Sequence, residues 1–377
     1  MLEFSCTVRS QVPPTYDVEK MSFMTIADSI VLGTEDTPLF PIKSFLLERW
    51  HNTVFDSPGS GTNFSNPFYY GGFIFVPSST NHAFDADSGE KLIYGSDEGK
   101  QKFRKLGGDT LIAYNNLKNL SSVVINVISG EKIFEAEKQP ISKAPYIVKK
   151  GQFFYTSRAG EQRMLNLWDI YQKRTIWSIP FEKFGFSKSV QSGDFLLAGD
   201  SEYLKLIDLD TGAIIWSINL KVIYLNGDLE KGIVYAATRD GLYFIDLFSI
   251  MEPSIKWKLE SSDDIMDVIS EQGRLYIQKR TSLLAFDVRN KKILWKANWY
   301  FDFGLNDQIT ICNGVIVTSN VEHNRYNLFF DKDTGRLLSS GMEDLISYSF
   351  SKSSQGNVVF GTSNEGAMVY RIEIKME

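Results

Sequence analysis

The sequence contains few of the residues that build metal sites, disulfides or membrane segments. It has only two cysteines, Cys6 and Cys312, and three scattered histidines among 377 residues. Neither cysteine belongs to a Cys-x-x-Cys pair and no cysteine–histidine cluster is present, so we expect two reduced thiols rather than a disulfide or a zinc site. Because no run of about 18 apolar residues occurs, we also expect no membrane-spanning helix.

The N-terminal sequence MLEFSCTVRSQVPP lacks the basic start and the apolar core of a secretory signal. We therefore expect a cytoplasmic protein, and Cys6 does not follow such a core as a lipid-anchored cysteine would. The sequence also lacks an excess of basic residues, since its net charge is −6. This charge opposes broad binding to nucleic acid or to an anionic membrane, whereas it is compatible with a basic protein partner.

Aromatic residues, in contrast, are abundant, with 27 Phe and 17 Tyr, and both types favour the half-buried surface of a sheet. A repeated pattern adds detail. The segment LKLIDLDTGAIIW, residues 204–216, reads as a strand, a tight turn and a second strand that ends on tryptophan. Looser copies follow one another at intervals of 38 to 44 residues, and their equivalents of Asp208 are Asp85, Asn126, Asp169, Asp246, Asp287, Asp331 and Arg371.

A second register has the same period. A glycine precedes the upstream apolar run of each unit, at Gly72, Gly108, Gly151, Gly193, Gly232, Gly273, Gly314 and Gly356. Each unit then reads as four short strands, and in the unit of Asp287 these are IMDVIS, RLYIQK, SLLAFDV and KILWKANW. The turns between them carry Gly, Asn, Asp or Ser, which supply positive φ angles or bond back to the backbone.

Four-stranded units at a period of about forty residues predict an all-β chain that folds as a β-propeller. One such sheet cannot bury both of its faces, whereas packing between two neighbours does so and leaves few open edges. In this arrangement the Asp-Thr-Gly turn joins the third and fourth strands, and a tryptophan on the fourth strand docks on the next blade. We expect Trp177, Trp216, Trp257 and Trp295 to hold this position.

The pattern resembles the PQQ-like, or quinoprotein-type, propeller repeat, whose tryptophan-docking motif reads roughly Ala-x-Asp-x-x-Thr-Gly-x-x-x-Trp. The segment LIDLDTGAIIW matches it at Asp208, Thr211, Gly212 and Trp216. Other copies keep either the glycine of the turn or the tryptophan. The resemblance covers about residues 66–377 and implies a fold rather than a function, since such propellers host many roles.

The quinone-dependent dehydrogenases of that family bind their cofactor and calcium on the propeller axis, with Glu and Asn ligands, an acidic base and often adjacent cysteines. This sequence has no adjacent cysteines, and the other ligands match no motif in it. We therefore predict no cofactor, no metal site and no catalytic residues. An enzyme, quinone-dependent or otherwise, or a small-ligand sensor that uses the central channel is the alternative hypothesis.

The way in which the ring closes is open to two interpretations. The last unit ends after its third strand, EGAMVYRIEIK, so a fourth strand must come from the N-terminal part of the chain. SFLLERW, residues 44–50, would close eight blades within residues 44–377 and leave residues 1–43 as an appendage. Alternatively, residues 2–8 close the ring, and the segment from SIVLGTED to Trp50 forms a ninth blade. We prefer eight blades in a single domain, because the ninth copy lacks the Gly and the Asp of the repeat.

Two charged segments are candidate binding sites. LESSDDIMD carries Glu260, Asp263, Asp264 and Asp267. It reads either as a solvated loop between blades or as one edge of a face that attracts a basic partner. GKQKFRKLGG, residues 99–108, carries four cations. On an acidic protein, one such segment is more typical of a solvated connector than of a nucleic-acid site.

The triplets Asp-Thr-Gly at 210–212 and 333–335 and Asp-Ser-Gly at 87–89 spell the aspartic protease motif. That chemistry requires two carboxylates that share a proton at contact distance. The repeat instead assigns each triplet to the turn of its own blade, so we interpret all three as structural turns.

These observations favour a non-enzymatic, protein-binding propeller in the cytoplasm. By analogy, one specific form is an immunity protein that neutralises a toxin. A scaffold of outer-membrane protein assembly is a second hypothesis, which the missing signal sequence opposes. We expect a protein partner, with a basic one favoured by the negative net charge, and we expect neither nucleic acid nor a membrane.

Overall fold

The structure is a computed structural model of the chain. The residues that it describes are 13–26, 46–53, 68–70, 72–76, 82–93, 101–107, 110–115, 122–126, 132–136, 142–147, 152–169, 171–172, 174–182, 189–200, 202–228, 232–247, 252–261, 263–298, 309–319, 327–340, 347–352, 358–363 and 368–374. Among them, no helix is long and apolar enough to pass through a membrane.

The described strands form eight sheets, which we number blades 1 to 8 along the chain. In blades 1 to 7, four consecutive strands pair antiparallel in chain order. Blade 1 comprises Phe68–Tyr70, Phe73–Val76, His82–Asp85 and Lys91–Ile93. Blade 2 comprises Gln101–Gly107, Thr110–Asn115, Ser122–Asn126 and Lys132–Ala136. Blade 3 comprises Ser142–Ile147, Gln152–Ala159, Gln162–Asp169 and Arg174–Pro180.

The next four blades follow the same plan. Blade 4 comprises Ser189–Ser192, Phe195–Gly199, Leu204–Asp208 and Ile214–Asn219. Blade 5 comprises Tyr224–Asp228, Ile233–Thr238, Gly241–Asp246 and Ser254–Glu260. Blade 6 comprises Ile265–Glu271, Arg274–Lys279, Ser282–Asp287 and Lys292–Asn298. Blade 7 comprises Ile309–Cys312, Val315–Ser319, Asn327–Asp331 and Leu337–Ser340.

Blade 8 takes its fourth strand from the N-terminal part of the chain. Its first three strands are Ser347–Lys352, Val358–Ser363 and Met368–Ile374. The strand Leu46–Thr53 pairs antiparallel with the third of them. This is the pairing that the eight-blade prediction requires. Residues 2–8, which would close the nine-blade alternative, lie outside the described residues.

The first strands of the blades lie next to one another. Such strands are in contact between blades 2 and 3, 4 and 5, 5 and 6, 6 and 7, 7 and 8, and 8 and 1. The predicted all-β propeller is therefore confirmed. The segment 101–107, which the sequence analysis assigned to a solvated connector, is instead the first strand of blade 2.

The apolar core lies between the blades rather than inside any one of them. The cluster between blades 5 and 6, for example, contains Trp257 and Leu259 from one blade and Leu275, Ile277 and Phe286 from the other. Similar clusters join blades 3 and 4, blades 4 and 5, and blades 6 and 7. Each blade is therefore stabilised mainly by its neighbours, as expected of a repeat architecture.

An N-terminal strap, residues 13–26, runs along the outside of blades 4 and 5. Its strand Thr15–Asp17 pairs parallel with the fourth strand of blade 4, and the backbone N–H of Ser217 donates to Pro14 O at 3.0 Å. Its strand Met24–Ile26 pairs parallel with the fourth strand of blade 5. Each of these blades thus has five strands.

The side chains of the strap explain why it docks there. Tyr16, Val18, Met21 and Phe23 pack against the apolar cluster between blades 4 and 5. A single turn of 3₁₀ helix, Val18–Lys20, carries the chain from one blade to the next. The strap is consistent with an appendage, because its strands extend two existing sheets. The segment SIVLGTED, with which the ninth blade of the alternative would begin, lies outside the described residues.

Candidate functional site

The connections between strands lie on two faces of the propeller. Because antiparallel strands alternate in direction, the first-to-second and third-to-fourth turns of every blade lie on one face, which we call the turn face. The second-to-third turns and the connections to the next blade lie on the other face, which we call the loop face. The repeated sequence motif belongs to the turn face.

The side chain of Asp208 holds the turn between the third and fourth strands of blade 4. Asp208 Oδ1 accepts hydrogen bonds from the backbone N–H groups of Asp210 and Thr211, at 3.1 and 2.8 Å. Thr211 Oγ1 donates to the same oxygen at 2.7 Å. Gly212 donates its N–H to Asp208 O and has a φ of +73°, a conformation that favours glycine.

The same side-chain arrangement recurs in other blades. Asp331 makes the equivalent bonds in blade 7, and Asp85 makes them in blade 1 with a serine in place of the threonine. Hydrogen bonds from Ser88 lower the pKa of Asp85 below its ordinary value. In blade 6, the backbone and side chain of Asn290 lower the pKa of Asp287 in the same way.

Two of the four motif tryptophans donate a hydrogen bond to the turn of the next blade. Trp177 Nε1 in blade 3 donates to Leu209 O in blade 4 at 2.7 Å. Trp295 Nε1 in blade 6 donates to Lys332 O in blade 7 at 3.1 Å. Each of these bonds joins one blade to the following blade at the turn face.

The glycine of the turn makes room for the docked tryptophan. A Cβ atom added at Gly212 would lie 2.7 Å from Cδ2 of Trp177, and one added at Gly335 would lie 2.4 Å from Cδ2 of Trp295. Real Cβ atoms do not approach so closely, so the indole would have to move. The glycine is thus required both by its positive φ and by the ring that covers it.

The other two motif tryptophans are also buried. Trp216 is completely buried between blades 4 and 5. The ring of Trp257 lies 5.1 Å from the ring of Phe286 in blade 6 and stacks at 5.3 Å on Phe244 in its own blade. All four tryptophans therefore lie at the interface between consecutive blades.

Three of the four described ion pairs on the turn face connect neighbouring blades. They join blade 6 to blade 7 and blade 8 to blade 1: Lys332–Glu271 at 2.7 Å, Arg274–Asp333, and Arg371–Asp87 at 3.4 Å. The fourth pair, Lys256–Asp246 at 3.5 Å, lies within blade 5. The Asp-Thr-Gly and Asp-Ser-Gly triplets take part in these contacts on separate blades, as structural turns do.

Ion pairs on the loop face, in contrast, lie within single blades. The described ones are Lys205–Asp200 in blade 4, Lys258–Asp240 at the same kind of turn in blade 5, and Arg280–Asp264 at 2.8 Å in blade 6. None of these described pairs joins one blade to the next.

The acidic segment identified in the sequence is largely occupied by contacts within blade 6. Asp264 Oδ2 accepts from Arg280 Nη2 at 2.8 Å. Asp263 Oδ2 accepts from the N–H and Oγ1 of Thr281 at 2.9 and 2.7 Å. Glu260, at the end of blade 5, is exposed, whereas Asp263 and Asp264 are half-buried. The segment is therefore a structured connection that presents one free carboxylate.

Asp267 does not belong to an exposed acidic edge, and here the sequence-based interpretation was wrong. It lies in the first strand of blade 6, is 5% exposed and accepts from the N–H groups of Ile309 and Val268 at 2.9 and 2.8 Å. Burial raises the pKa of Asp267 above its ordinary value, although a hydrogen bond from Tyr224 and the two backbone N–H groups act in the opposite direction. Asp267 thus connects blades 5, 6 and 7 in the interior.

A cleft of about 500 Å³ opens on the loop face between blades 3 and 4. Its lining residues are Glu161, Gln162, Arg163, Pro180, Phe181 and Glu182 from blade 3, and Asp200, Glu202, Tyr203 and Lys205 from blade 4. The carboxylates of Glu161, Glu182 and Glu202 are exposed, and Arg163 is the exposed cation among these residues. The rim of the cleft therefore carries an excess of negative charge.

The inner part of the cleft is a buried ion pair against an aromatic ring. Asp200 is 3% exposed and pairs with Lys205, whose Nζ lies 5.1 Å from the ring centroid of Phe181. Burial tends to raise the pKa of Asp200, but Lys205 and the N–H groups of Glu202 and Tyr203 bring the pKa below its ordinary value. Asp200 is thus held as a carboxylate, and the ammonium group of Lys205 balances its charge.

Sequence reasoning did not identify this cleft. Its residues come from two blades and are dispersed along the chain, and they show no motif. The one signal was the presence of charged residues in the loop-face turns of blades 3 and 4, such as DSEYLK at residues 200–205, and an ordinary solvated turn would also contain them. Within the described residues, no group of three or more His, Cys, Asp or Glu side chains is arranged to hold a metal ion.

The comparisons with known proteins support the fold alone. No protein-family model and no curated protein matches the sequence. Among solved structures, BamB from Moraxella catarrhalis is similar with a TM-score of 0.59 and 12% identity, over 87% of this chain and 100% of that chain. The C-terminal WD40 domain of Sif2 has a TM-score of 0.61 and 9% identity, over 88% and 99%. A europium-containing methanol dehydrogenase has a TM-score of 0.60 and 10% identity, over 87% and 93%. The chain is a β-propeller.

Proposed function

We propose that this β-propeller is a non-enzymatic, protein-binding scaffold that captures its partner on the loop face, at the cleft between blades 3 and 4. The observation that carries the proposal is the cleft itself, an open recess with a charged rim on the face where the described ion pairs lie within single blades. Loops on a rigid scaffold are where proteins most often place their binding residues.

The chemistry of the rim supports a partner that carries basic side chains. Glu161 and Glu202 are exposed and can each approach a cation, whereas Asp200 is already paired with Lys205 and does not compete for it. Complementary charge steers a partner to its site and fixes its orientation. The acidic segment, with its single free carboxylate at Glu260, is a weaker candidate for the same role.

The test is capture of partners from the native host, followed by measurement of binding. We expect a reproducible protein partner, and we expect the double variant Glu161→Lys, Glu202→Lys to weaken its Kd by about tenfold, or about 1.4 kcal/mol. The matched control is Glu252→Lys, an exposed acid on the turn face, which should leave the Kd unchanged. Equal effects of the two substitutions would place the partner elsewhere.

Within this proposal, a cytoplasmic immunity protein is the specific form that we favour. It is supported by analogy and by the negative charge of the chain. The experiment is coexpression with a secreted toxin encoded beside this gene, with growth as the readout. Rescue by the wild-type chain but not by the rim variant would support it, and growth inhibition that persists with both chains would contradict it.

The propellers of the quinoprotein type, which the tryptophan-docking motif resembles, also include enzymes. A bound quinone absorbs visible or near-ultraviolet light, so the absorbance spectrum of the purified protein separates the two functions. We expect only the protein band. A cofactor band that persists through purification would replace the binding proposal by the enzyme alternative.

A further inference from the structure

The interface between blades 6 and 7 contains two neutral polar side chains that no described protein group satisfies. Gln278 and Thr318 are each 0% exposed. Within the described residues, neither the amide nitrogen and oxygen of Gln278 nor the hydroxyl of Thr318 has a hydrogen-bond partner. Buried polar atoms are nearly always bonded, so three such atoms near one interface require an explanation.

Both side chains face the same interface between blades 6 and 7, and we call the space between them the gap. Gln278 lies two residues after Tyr276, and Thr318 lies two residues after Ile316. Tyr276 and Ile316 pack in one cluster that joins blades 6 and 7. Because side chains two residues apart on a strand share a face, Gln278 and Thr318 face this interface from opposite sides.

The backbone register places the two side chains at the same end of the interface. Gln278 is the cross-strand neighbour of Asp267, and Thr318 is the cross-strand neighbour of Ile309. Asp267 Oδ2 accepts from the N–H of Ile309 at 2.9 Å, which holds the two strand pairs together at that level. Gln278 and Thr318 therefore flank a single contact, at the loop-face end of blades 6 and 7.

We propose that this gap is a site for ordered water, which bridges Gln278 and Thr318 across the two blades. The ligand must offer both a donor and an acceptor, because the amide presents one of each and the hydroxyl presents either. It must also be neutral and small, because the side chains that need it are uncharged and fully buried. Water meets these conditions and typically makes about three hydrogen bonds when buried.

A cation is a poorer match to the same residues. The nearest carboxylate, Asp267, already accepts hydrogen bonds from Val268, Ile309 and Tyr224. Its oxygens are thus engaged in joining blades 5, 6 and 7. Gln278 and Thr318 lie on the second strands of blades 6 and 7. The proposed site therefore extends the polar connection from the first strands of these blades to their second strands.

The direct test is an experimental structure of the full chain at a resolution that shows ordered water. We expect a water peak within about 3 Å of both the Gln278 amide and Thr318 Oγ1. An empty gap, or side chains that bond directly to each other, would overturn the proposal. A peak with the short distances and octahedral geometry of a metal ion would also overturn it.

A pair of nearly isosteric substitutions gives an independent test in solution. If water bridges the two groups, Gln278→Met and Thr318→Val each lower the Tm, and the double variant lowers it no further than the more harmful single change. If the amide is unsatisfied, Gln278→Met instead raises the Tm, because an apolar side chain is better tolerated than an unbonded buried amide. Additive losses would also exclude a shared water. The control is Gln162→Met, an exposed residue, which should leave the Tm unchanged.

Discussion

The two faces of the propeller use their charged residues in different ways. On the turn face, three of the four described pairs, Lys332–Glu271, Arg274–Asp333 and Arg371–Asp87, connect one blade to the next, and Lys256–Asp246 lies within blade 5. On the loop face, the described pairs remain inside blades 4, 5 and 6. Since propeller blades are stable only together, the turn face carries contacts that the fold needs.

The loop face is under a weaker constraint. The described ion pairs on this face do not join two blades, so a change in one of them removes no ion pair between blades, and the face is free to acquire a recess such as the cleft between blades 3 and 4. The comparison predicts that changes on the turn face reduce the stability of the whole propeller by a large amount. Changes on the loop face should have smaller or local effects on stability. Four predictions test it, from the largest expected effect to the smallest.

The largest loss of stability is expected for Gly335→Ala on the turn face. The new Cβ would lie 2.4 Å from Trp295 and would also require a φ of +72°. We expect the free energy of unfolding to fall by about 3 kcal/mol or more in a urea titration. The matched control is Gly273→Ala, which has a φ of +79° but no atom within 4 Å, and should lose about 1 kcal/mol. Equal losses would show that the docked ring is not the cause.

A smaller loss is expected for Lys205→Met in the cleft, about 2 kcal/mol, because the change leaves Asp200 as a buried charge without its partner. Since the pKa of Asp200 is below its ordinary value, the pair stabilises the fold above that ordinary value, and this contribution is lost as the pH falls through the lowered pKa. The loss should therefore shrink in acid.

Urea titrations of the Lys205 variant at neutral and acidic pH measure this dependence. Adding Asp200→Asn to Lys205→Met should recover part of the stability, because it removes the unpaired charge. If the double variant is no more stable than Lys205→Met, the buried charge is not the source of the loss.

We expect Trp177→Phe to lower the free energy of unfolding by about 1 kcal/mol more than Trp257→Phe does, which is the same change of ring at another blade. The substitution removes the hydrogen bond to Leu209 O and leaves that carbonyl oxygen without its partner. Trp257→Phe is the comparison, because the Trp257 ring contacts the next blade through Phe286 by packing. Chemical denaturation of both variants gives the difference, and a greater loss for Trp257→Phe would contradict the role of the indole N–H.

The smallest effect is a change in pH dependence for Asp267→Asn. Because the pKa of Asp267 is raised in the folded state, its contribution to stability is fully present below the ordinary carboxyl pKa and is lost as the pH rises through the raised value. Asparagine does not titrate, so the Tm of the variant relative to wild type should increase as the pH rises above the ordinary carboxyl pKa of about 4. A constant or decreasing difference would show that this carboxyl does not titrate as the structure indicates.

The blade repeat could be predicted because its signals are local and occur many times. In blade 6, the segments IMDVIS, RLYIQK, SLLAFDV and KILWKANW each agree within one residue with an observed strand. The Asp208 turn could also be read directly, since its side chain bonds to residues two and three positions ahead.

The features that sequence missed depend on residues far apart in the chain. Asp267 reads as a solvated acid beside Asp263 and Asp264, and only its bond to Ile309 in the next blade explains its burial. The strand Thr15–Asp17 is too short for a pattern, and it is defined by pairing with residues 217–219. Neither feature leaves a local signature.

The N-terminal strap has a consequence for the order in which the protein is made. Residues 15–26 leave the ribosome before their partners in Ile214–Asn219 and Ser254–Glu260 exist. Similarly, Leu46–Thr53 must wait for Met368–Ile374. The earliest part of the nascent chain therefore docks late, and final assembly follows the synthesis of the last blade.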